Sequence, residues 1–202
     1  MNIVINQSGV NLSWCRPDTV NHQLIIVHNA TEFEMYAHAD AFIDLNFNGI
    51  FFEAGDKPYL VNETIKTFRE LPYAPANVGR FCGWSGLPDR PVWEVATNTQ
   101  STTSLKALMK AIGKQYEFVA DQPGLVAPRI LSMIINEAYY AIAEGISSPE
   151  EIDMAMKLGT SYPEGPINWA NKIGIHHIKD LLTRLESTSA RYRPHPLLLN
   201  HI

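Results

Sequence analysis

The run Asp121-Gln122-Pro123-Gly124-Leu125-Val126-Ala127-Pro128-Arg129-Ile130-Leu131 decides the fold, because the hydrophobic period changes across it. Downstream, Ile130, Leu131, Ile134, Ile135, Ala138, Tyr139 and Ile142 recur at helical spacing over four turns, and Pro128 suits a first helical position. Gly145 ends that helix. Ser148-Pro149-Glu150-Glu151 then reads as a capping box, in which the Ser hydroxyl and the Glu carboxylate each satisfy an amide at the helix end. Ile152, Ala155, Met156 and Leu158 give the next helix its buried face, and Gly159 is expected to stop it. Tyr162-Pro163-Glu164-Gly165-Pro166 is a rigid turn before two further helical pieces, Ile167 to Ile173 and Ile178 to Leu185. Asp153, in the first turn of the capped helix, reads as a charge favourable to the dipole of that helix.

Upstream of the same run, short β-rich segments alternate with helical ones. Ile3-Val4-Ile5, Leu24 to Val27, Ala41 to Leu45, Tyr59 to Val61, Pro91 to Ala96 and Glu117 to Ala120 read as strands. Thr31 to Ala39 reads as a short helix. Ser101 offers an N-cap to another, with Leu105, Leu108, Met109 and Ile112 on one face and Gly113 as its stop. Such alternation predicts an α/β layer with a largely parallel sheet. The expected division is therefore an α/β domain over residues 1–122 and an all-helical domain over residues 123–202.

Composition narrows the function classes. The 202 residues carry 16 Lys+Arg against 21 Asp+Glu, a net charge of −5, with no basic run, which argues against nucleic acid or an anionic membrane as partner. No segment approaches the ~18 apolar residues of a membrane helix, and Met1 to Asn6 has neither a basic nor a long apolar leader character. A cytoplasmic protein is expected. The two cysteines, Cys15 and Cys82, lie outside any C-x-x-C spacing, so neither a disulfide framework nor a thiolate zinc site is indicated. His176 and His177 are adjacent and point about 100° apart on a helix. No metal site is expected from His22, His28 and His38.

The helical half resembles the C-terminal domain of the 3-hydroxyacyl-CoA dehydrogenases. The residues that carry the likeness are Asp121, Pro123-Gly124 and Arg129; Asn136-Glu137-Ala138; Gly145-Ile146, Ser148, Glu151-Ile152-Asp153, Ala155-Met156 and Gly159; Pro163, Gly165-Pro166 and Ile173-Gly174; and Tyr192-Arg193-Pro194 with Pro196-Leu197-Leu198. Upstream, Ala39 to Asp44 resembles a family strand ending in a carboxylate. Tyr59 to Thr64 is similar to a strand running into an Asn-Thr-Ser turn, and Trp93-Glu94-Val95 to the strand that carries the catalytic glutamate. The resemblance implies a shortened Rossmann-like domain followed by a helical domain like the C-terminal one of 6-phosphogluconate dehydrogenases. It implies NAD-dependent oxidation of a 3-hydroxyacyl-CoA in fatty acid metabolism, and a homodimer built through the helical domain, for which the apolar face from Ile130 to Ile142 is a suitable surface. By the same likeness Glu94 and Thr64 are the catalytic candidates, and Asn62 and Cys82 the substrate-contacting ones.

The residues themselves depart from that chemistry. A dinucleotide needs a glycine-rich turn opening a helix, so that backbone amides approach the pyrophosphate, yet residues 1–48 hold one glycine, Gly9. Gly79-Arg80-Phe81-Cys82-Gly83-Trp84-Ser85-Gly86 has the wrong spacing and reads as a connector. The family histidine that takes the substrate proton is expected about a dozen residues before Glu94, where Phe81 or Cys82 stands. With Phe81 and Trp84 beside it, Cys82 reads as a buried, inert thiol. Pro128 occupies the place of an asparagine donor, Asn171 that of an Asp, and Leu125 that of a Phe. Trp84 and Trp93 read as core aromatics or as the lining of a ligand cleft. The expectation is a dehydrogenase-like protein impaired or inactive in catalysis; the alternatives are a non-catalytic protein binding acyl-CoA or another small molecule, and a dimeric scaffold.

Overall fold

The computed structural model describes residues 1–7, 14–15, 21–98 and 102–200. The chain divides into two compact units, Met1–Leu125 and Val126–Ile202. The division falls three residues later than the expected 122/123, because the Gly124 N–H donates to the Thr64 carbonyl at 2.7 Å and so stays tied to the first unit.

The first unit is built on seven strands: β1 (Asn2–Asn6), β2 (Gln23–Val27), β3 (Ala41–Asp44), β4 (Tyr59–Asn62), β5 (Val78–Phe81), β6 (Val92–Thr97) and β7 (Gln115–Phe118). Their order across the sheet is β2-β1-β3-β4-β5-β6-β7. All neighbours run parallel except β5 and β6. Alternation assigns the two faces. Ile3, Ile5, Ile43, Leu60, Phe81 and Val95 join one core with Leu105, Leu108 and Met109 of helix α1 (Thr103–Ala111). Val4, Phe42, Tyr59, Val61 and Val78 join the other with Phe33, from a 3₁₀ segment over Ala30–Tyr36. The short helix expected from Thr31 to Ala39 forms as this 3₁₀ segment; Asn29 caps it, accepting from the Thr31 N–H. The expected N-cap Ser101 lies outside the described residues.

Strand β5 corrects the sequence reading, which took Gly79 to Gly86 as a connector. A Cβ on Gly79 would meet Leu60 Cδ2 and Val95 Cγ1 at 2.8 Å, so the glycine is there to let β5 lie between β4 and β6. The next residue, Arg80, is fully buried. Its guanidinium pairs with Asp121 and donates to the carbonyls of Glu63 (3.2 Å) and Gln122 (2.6 Å). Asp121 also accepts from the Phe68 N–H at 2.9 Å. A charge buried in mid-sheet is thus neutralised by the last residues of its own unit, as a buried charge must be.

The second unit is helical: α2 (Ala127–Ala143), α3 (Pro149–Thr160), α4 (Pro166–Ile173), α5 (Ile175–Glu186) and α6 (Pro196–Asn200). The capping box forms as expected, Ser148 Oγ accepting from the Glu151 N–H and the Glu151 carboxylate from the Ser148 N–H. Helix α3 runs through Gly159 and ends only at Ser161, which takes a left-handed φ of 57°. Asp153 acts on a different helix from the one expected. Its carboxylate accepts from the N–H groups of Ile167 (2.8 Å) and Asn168 (3.0 Å), capping α4, and its Cα and carboxylate come so close to Gly165 that no Cβ fits there. Buried Asn136 joins two distant stretches, donating to the Arg193 carbonyl and accepting from the His195 N–H. The α2 face expected to serve a partner is largely internal: Leu131, Ile135, Ala138 and Tyr139 are buried, while Ile130 is 56% exposed. Among the described residues no helix is long and apolar enough to cross a membrane.

Candidate functional site

In an open α/β sheet, ligands bind beyond the carboxyl ends of the strands, where the strand order reverses. Here the order reverses at β1, with β2 on one side and β3 on the other, so the crest formed by Asn6 and Asp44 is the first place to look. Side chains fill it. Asn6 Nδ2 donates to Asp44 Oδ1 at 2.7 Å, the Tyr59 hydroxyl to Asp44 Oδ2 at 3.1 Å, and the Asn46 N–H to Asp44 Oδ1 at 3.0 Å. Burial pushes the Asp44 carboxyl up to about 6, its three donors offsetting part of the effect. Beside this network a cavity of about 350 Å³ is lined by Asn6, His28, Asn29, Ala30, Thr31, Asn46 and Asn48.

These residues do not fit NAD. A dinucleotide fold presents bare glycine backbone at this crest and a carboxylate after the second strand for the ribose. Among the described residues, this chain presents a hydrogen-bonded Asn-Asp network, His28 and Asn29 after β2, and no Lys or Arg in the lining. A pyrophosphate would face Asp44 with no compensating cation among the described lining residues.

The second place on the same edge is the hairpin of β5 and β6. Gly79 pairs with Thr97 and Arg80 with Ala96; carrying that antiparallel register on sets Cys82 opposite Glu94. Opposite residues share a face, and on that face the two side chains interact: the Glu94 carboxylate raises the Cys82 thiol and the Arg90 guanidinium lowers it. The largest influence is desolvation, which takes the thiol up to about 12, against the lowering effects of the Thr64 hydroxyl and the Trp84 N–H; the residue as a whole is only half-buried, not buried as its aromatic neighbours led us to expect. Cys82 is therefore a protonated thiol at neutral pH.

Thr64 is buried and faces that thiol, a poor hydrogen-bonding partner. Its hydroxyl oxygen has no hydrogen bond of normal geometry. Asn62, at the end of β4, positions the turn: its Oδ1 accepts from the Gly83 N–H at 2.7 Å and its Nδ2 donates to the Leu45 carbonyl at 3.0 Å. A Cβ on Gly83 would lie 2.7 Å from the Asn62 carboxamide carbon, so only glycine accepts this approach. The four expected residues, Asn62, Thr64, Cys82 and Glu94, thus converge on one end of the sheet.

Beneath them Phe81 and Trp93 stack at 4.4 Å, nearly parallel, and Trp93 is buried with its indole N–H on the Pro88 carbonyl. Trp84 is buried too, which places both indoles in the core and removes them from a ligand lining. The sequence reading missed Arg90, whose guanidinium lies 3.9 Å from Glu94. Its signal was the i,i+4 spacing to Glu94, which acquires meaning only once β5 is recognised.

No histidine of this unit reaches the cluster. The chain has none between His38 and His176. His22 and His38 precede β2 and β3, at the opposite end of the strands, and His28 follows β2, four strands from Cys82, about 19 Å across the sheet. Among the described residues no group of three or more His, Cys, Asp or Glu is placed to hold a metal ion.

Residues 124–202 match the family model of the 3-hydroxyacyl-CoA dehydrogenase C-terminal domain. A probable 3-hydroxybutyryl-CoA dehydrogenase of Bacillus subtilis is 38% identical over 110 residues, 54% of this chain and 38% of that protein. One of Deinococcus radiodurans is 27% identical over 202 residues, covering 90% of this chain and 72% of its own length. The crystal structure of (S)-3-hydroxybutyryl-CoA dehydrogenase from Ralstonia eutropha superposes with a TM-score of 0.69 at 24% identity, over 90% of this chain and 69% of that one. The matched segment thus spans well under half of the Bacillus relative. The seven-stranded sheet followed by a helical unit has the fold of these enzymes, Rossmann-like and then helical, and residues 124–202 belong to the C-terminal domain of the 3-hydroxyacyl-CoA dehydrogenase family.

Proposed function

We propose that this chain is a dehydrogenase-like protein that binds an acyl-CoA at the β5–β6 hairpin and is impaired or inactive in hydride transfer. One observation carries the reading: Asn62, Thr64 and Glu94 assemble around Cys82, whose thiol is pushed up to about 12. Taking the proton of a hydroxyl calls for a base poised near neutral pH. A thiol held protonated does not meet that need, and the described residues of the dinucleotide crest, Asn6, Asp44 and Asn46, hydrogen-bond to one another. The names of the relatives point to a short acyl chain, 3-hydroxybutyryl-CoA or its keto form. The same reading places the protein in the cytoplasm, as a homodimer through the helical unit. Its support there is a set of exposed apolar side chains, Ile130, Ile146, Met154 and Leu158.

The test is a thermal-stability titration with 3-hydroxybutyryl-CoA, alongside a dehydrogenase assay with NAD. Ligand in hundredfold excess over its Kd is expected to stabilise the fold by ~2.7 kcal/mol, with NAD neither required nor reduced. Turnover that disappears in Glu94→Gln would instead make the protein an active dehydrogenase, and the absence of acyl-CoA stabilisation would leave the dimeric scaffold.

A further inference from the structure

We infer that Arg90 makes the hairpin site a reader of anionic oxygen, selecting the enolate of a 3-ketoacyl thioester over the 3-hydroxyacyl form. The inference rests on the acyl-CoA reading above and names the residue and the ligand state that would distinguish this site.

Three observations converge. The turn that carries Arg90 is held in place: the Arg90 N–H donates to the Leu87 carbonyl, and Lys114 Nζ donates to the carbonyls of both Pro88 and Arg90. Its guanidinium is only partly used. The contact with Glu94 is 3.9 Å, an ion pair without a hydrogen bond, and 45% of the side chain faces solvent. Five N–H donors therefore stand on a fixed turn with one distant carboxylate, among the described residues, as counter-charge. Finally, the Thr64 hydroxyl, buried across the cluster, has only the Cys82 thiol to face and no hydrogen bond of normal geometry, so a second oxygen that displaces that weak contact meets a neutral donor.

A 1,3-dicarbonyl thioester presents two oxygens, and its enolate spreads one negative charge over both. The step is an ionisation of the ligand: the bond between Cα and hydrogen breaks, the proton passes to a solvent base, and the electron pair delocalises onto the oxygens. A guanidinium cannot accept that proton or the proton of an alcohol, because it stays protonated at any working pH. It stabilises the anion once formed, by charge-assisted hydrogen bonds. Glu94 works against this by holding part of the guanidinium's field, so removing its charge is expected to strengthen the anion site.

The experiment uses the full chain and acetoacetyl-CoA, reading the ultraviolet band of the enolate by difference absorbance and affinity by tryptophan quenching. The protein is expected to raise the enolate fraction above that in buffer, and Arg90→Gln to lower affinity about tenfold or more and return the band to its buffer level. Arg90→Lys restores part of the signal, and Glu94→Gln raises both band and affinity. Because Arg90 is half exposed, circular dichroism of the variants is expected to match the parent. Equal binding of acetoacetyl-CoA by parent and Arg90→Gln, with no enolate band, overturns the inference while leaving the acyl-CoA reading intact. Failure of both acetoacetyl-CoA and 3-hydroxybutyryl-CoA to bind overturns that reading, and the inference with it.

Discussion

Two places on one edge of the same sheet, the crest of β1 and β3 and the hairpin of β5 and β6, are built from similar polar side chains and behave differently. At the crest, Asn6, Asp44, Asn46 and Tyr59 satisfy one another, and the carboxylate accepts three hydrogen bonds from within the chain. At the hairpin, Asn62 spends its carboxamide on the backbone of Gly83, and that fixes a turn whose Thr64 hydroxyl and Arg90 guanidinium are left with little to bind. A polar cluster that closes on itself is structure. One that holds its backbone and leaves donors over is a site. The site proposed above therefore lies away from the topological switch point of the sheet, at β5 and β6 and not at β1.

The contrast can be broken or sharpened by experiment. The largest effect is expected in thiol chemistry: with Cys15 and Cys82 both raised to about 12, alkylation of the native protein at pH 8 should be about a thousandfold slower than that of an unperturbed thiol. Mass spectrometry of timed samples measures it, and rapid labelling of Cys82 alone would mean that the hairpin stabilises a thiolate. Next comes the support of the hairpin. Arg80→Met leaves Asp121 and two carbonyls without their donor and is expected to cost about 3–5 kcal/mol in chemical denaturation.

The crest supplies a pH signature. Because the folded-state carboxyl of Asp44 lies above its unfolded value of 3.8, its contribution to stability is fully present below about pH 4 and is lost as the pH rises through about 6. That amounts to about 3 kcal/mol across the interval. Asp44→Asn should remove this fall, so the difference between variant and parent, followed by denaturation midpoints from pH 3.5 to 7, isolates the group from all others. A flat difference curve would show that the three donors fully offset burial. The smallest effect is expected for Gly83→Ala, about 1–3 kcal/mol from forcing a methyl group against Asn62, with a loss of acyl-CoA affinity larger than the loss of stability.

How much of this was legible in the sequence depended on distance along the chain. The helical unit reads well because its signals are local. The capping box spans Ser148 to Glu151, and the periodic face of α2 spans a few turns. Asp153 was misassigned because its partners, the amides of Ile167 and Asn168, lie 14 and 15 residues on. Strand β5 was invisible for the same reason. Gly79 and Arg80 are poor strand formers by themselves, and what makes them a strand is the crowding of Leu60 and Val95 and the charge of Asp121, 41 residues away. The site residues Asn62, Thr64, Cys82 and Glu94 were legible through family likeness alone. Their convergence follows from the β5–β6 register, which no local pattern announces.

The clamp on Arg80 has a consequence for the order in which the protein is made. When the ribosome has released β1 to β6, the central strands can pair, but the guanidinium in their midst has no carboxylate until Asp121 emerges. A nascent chain halted before that residue would hold an uncompensated cation inside its sheet. The first unit therefore gains its full stability only when its final few residues are present, after α1 and β7 in the chain.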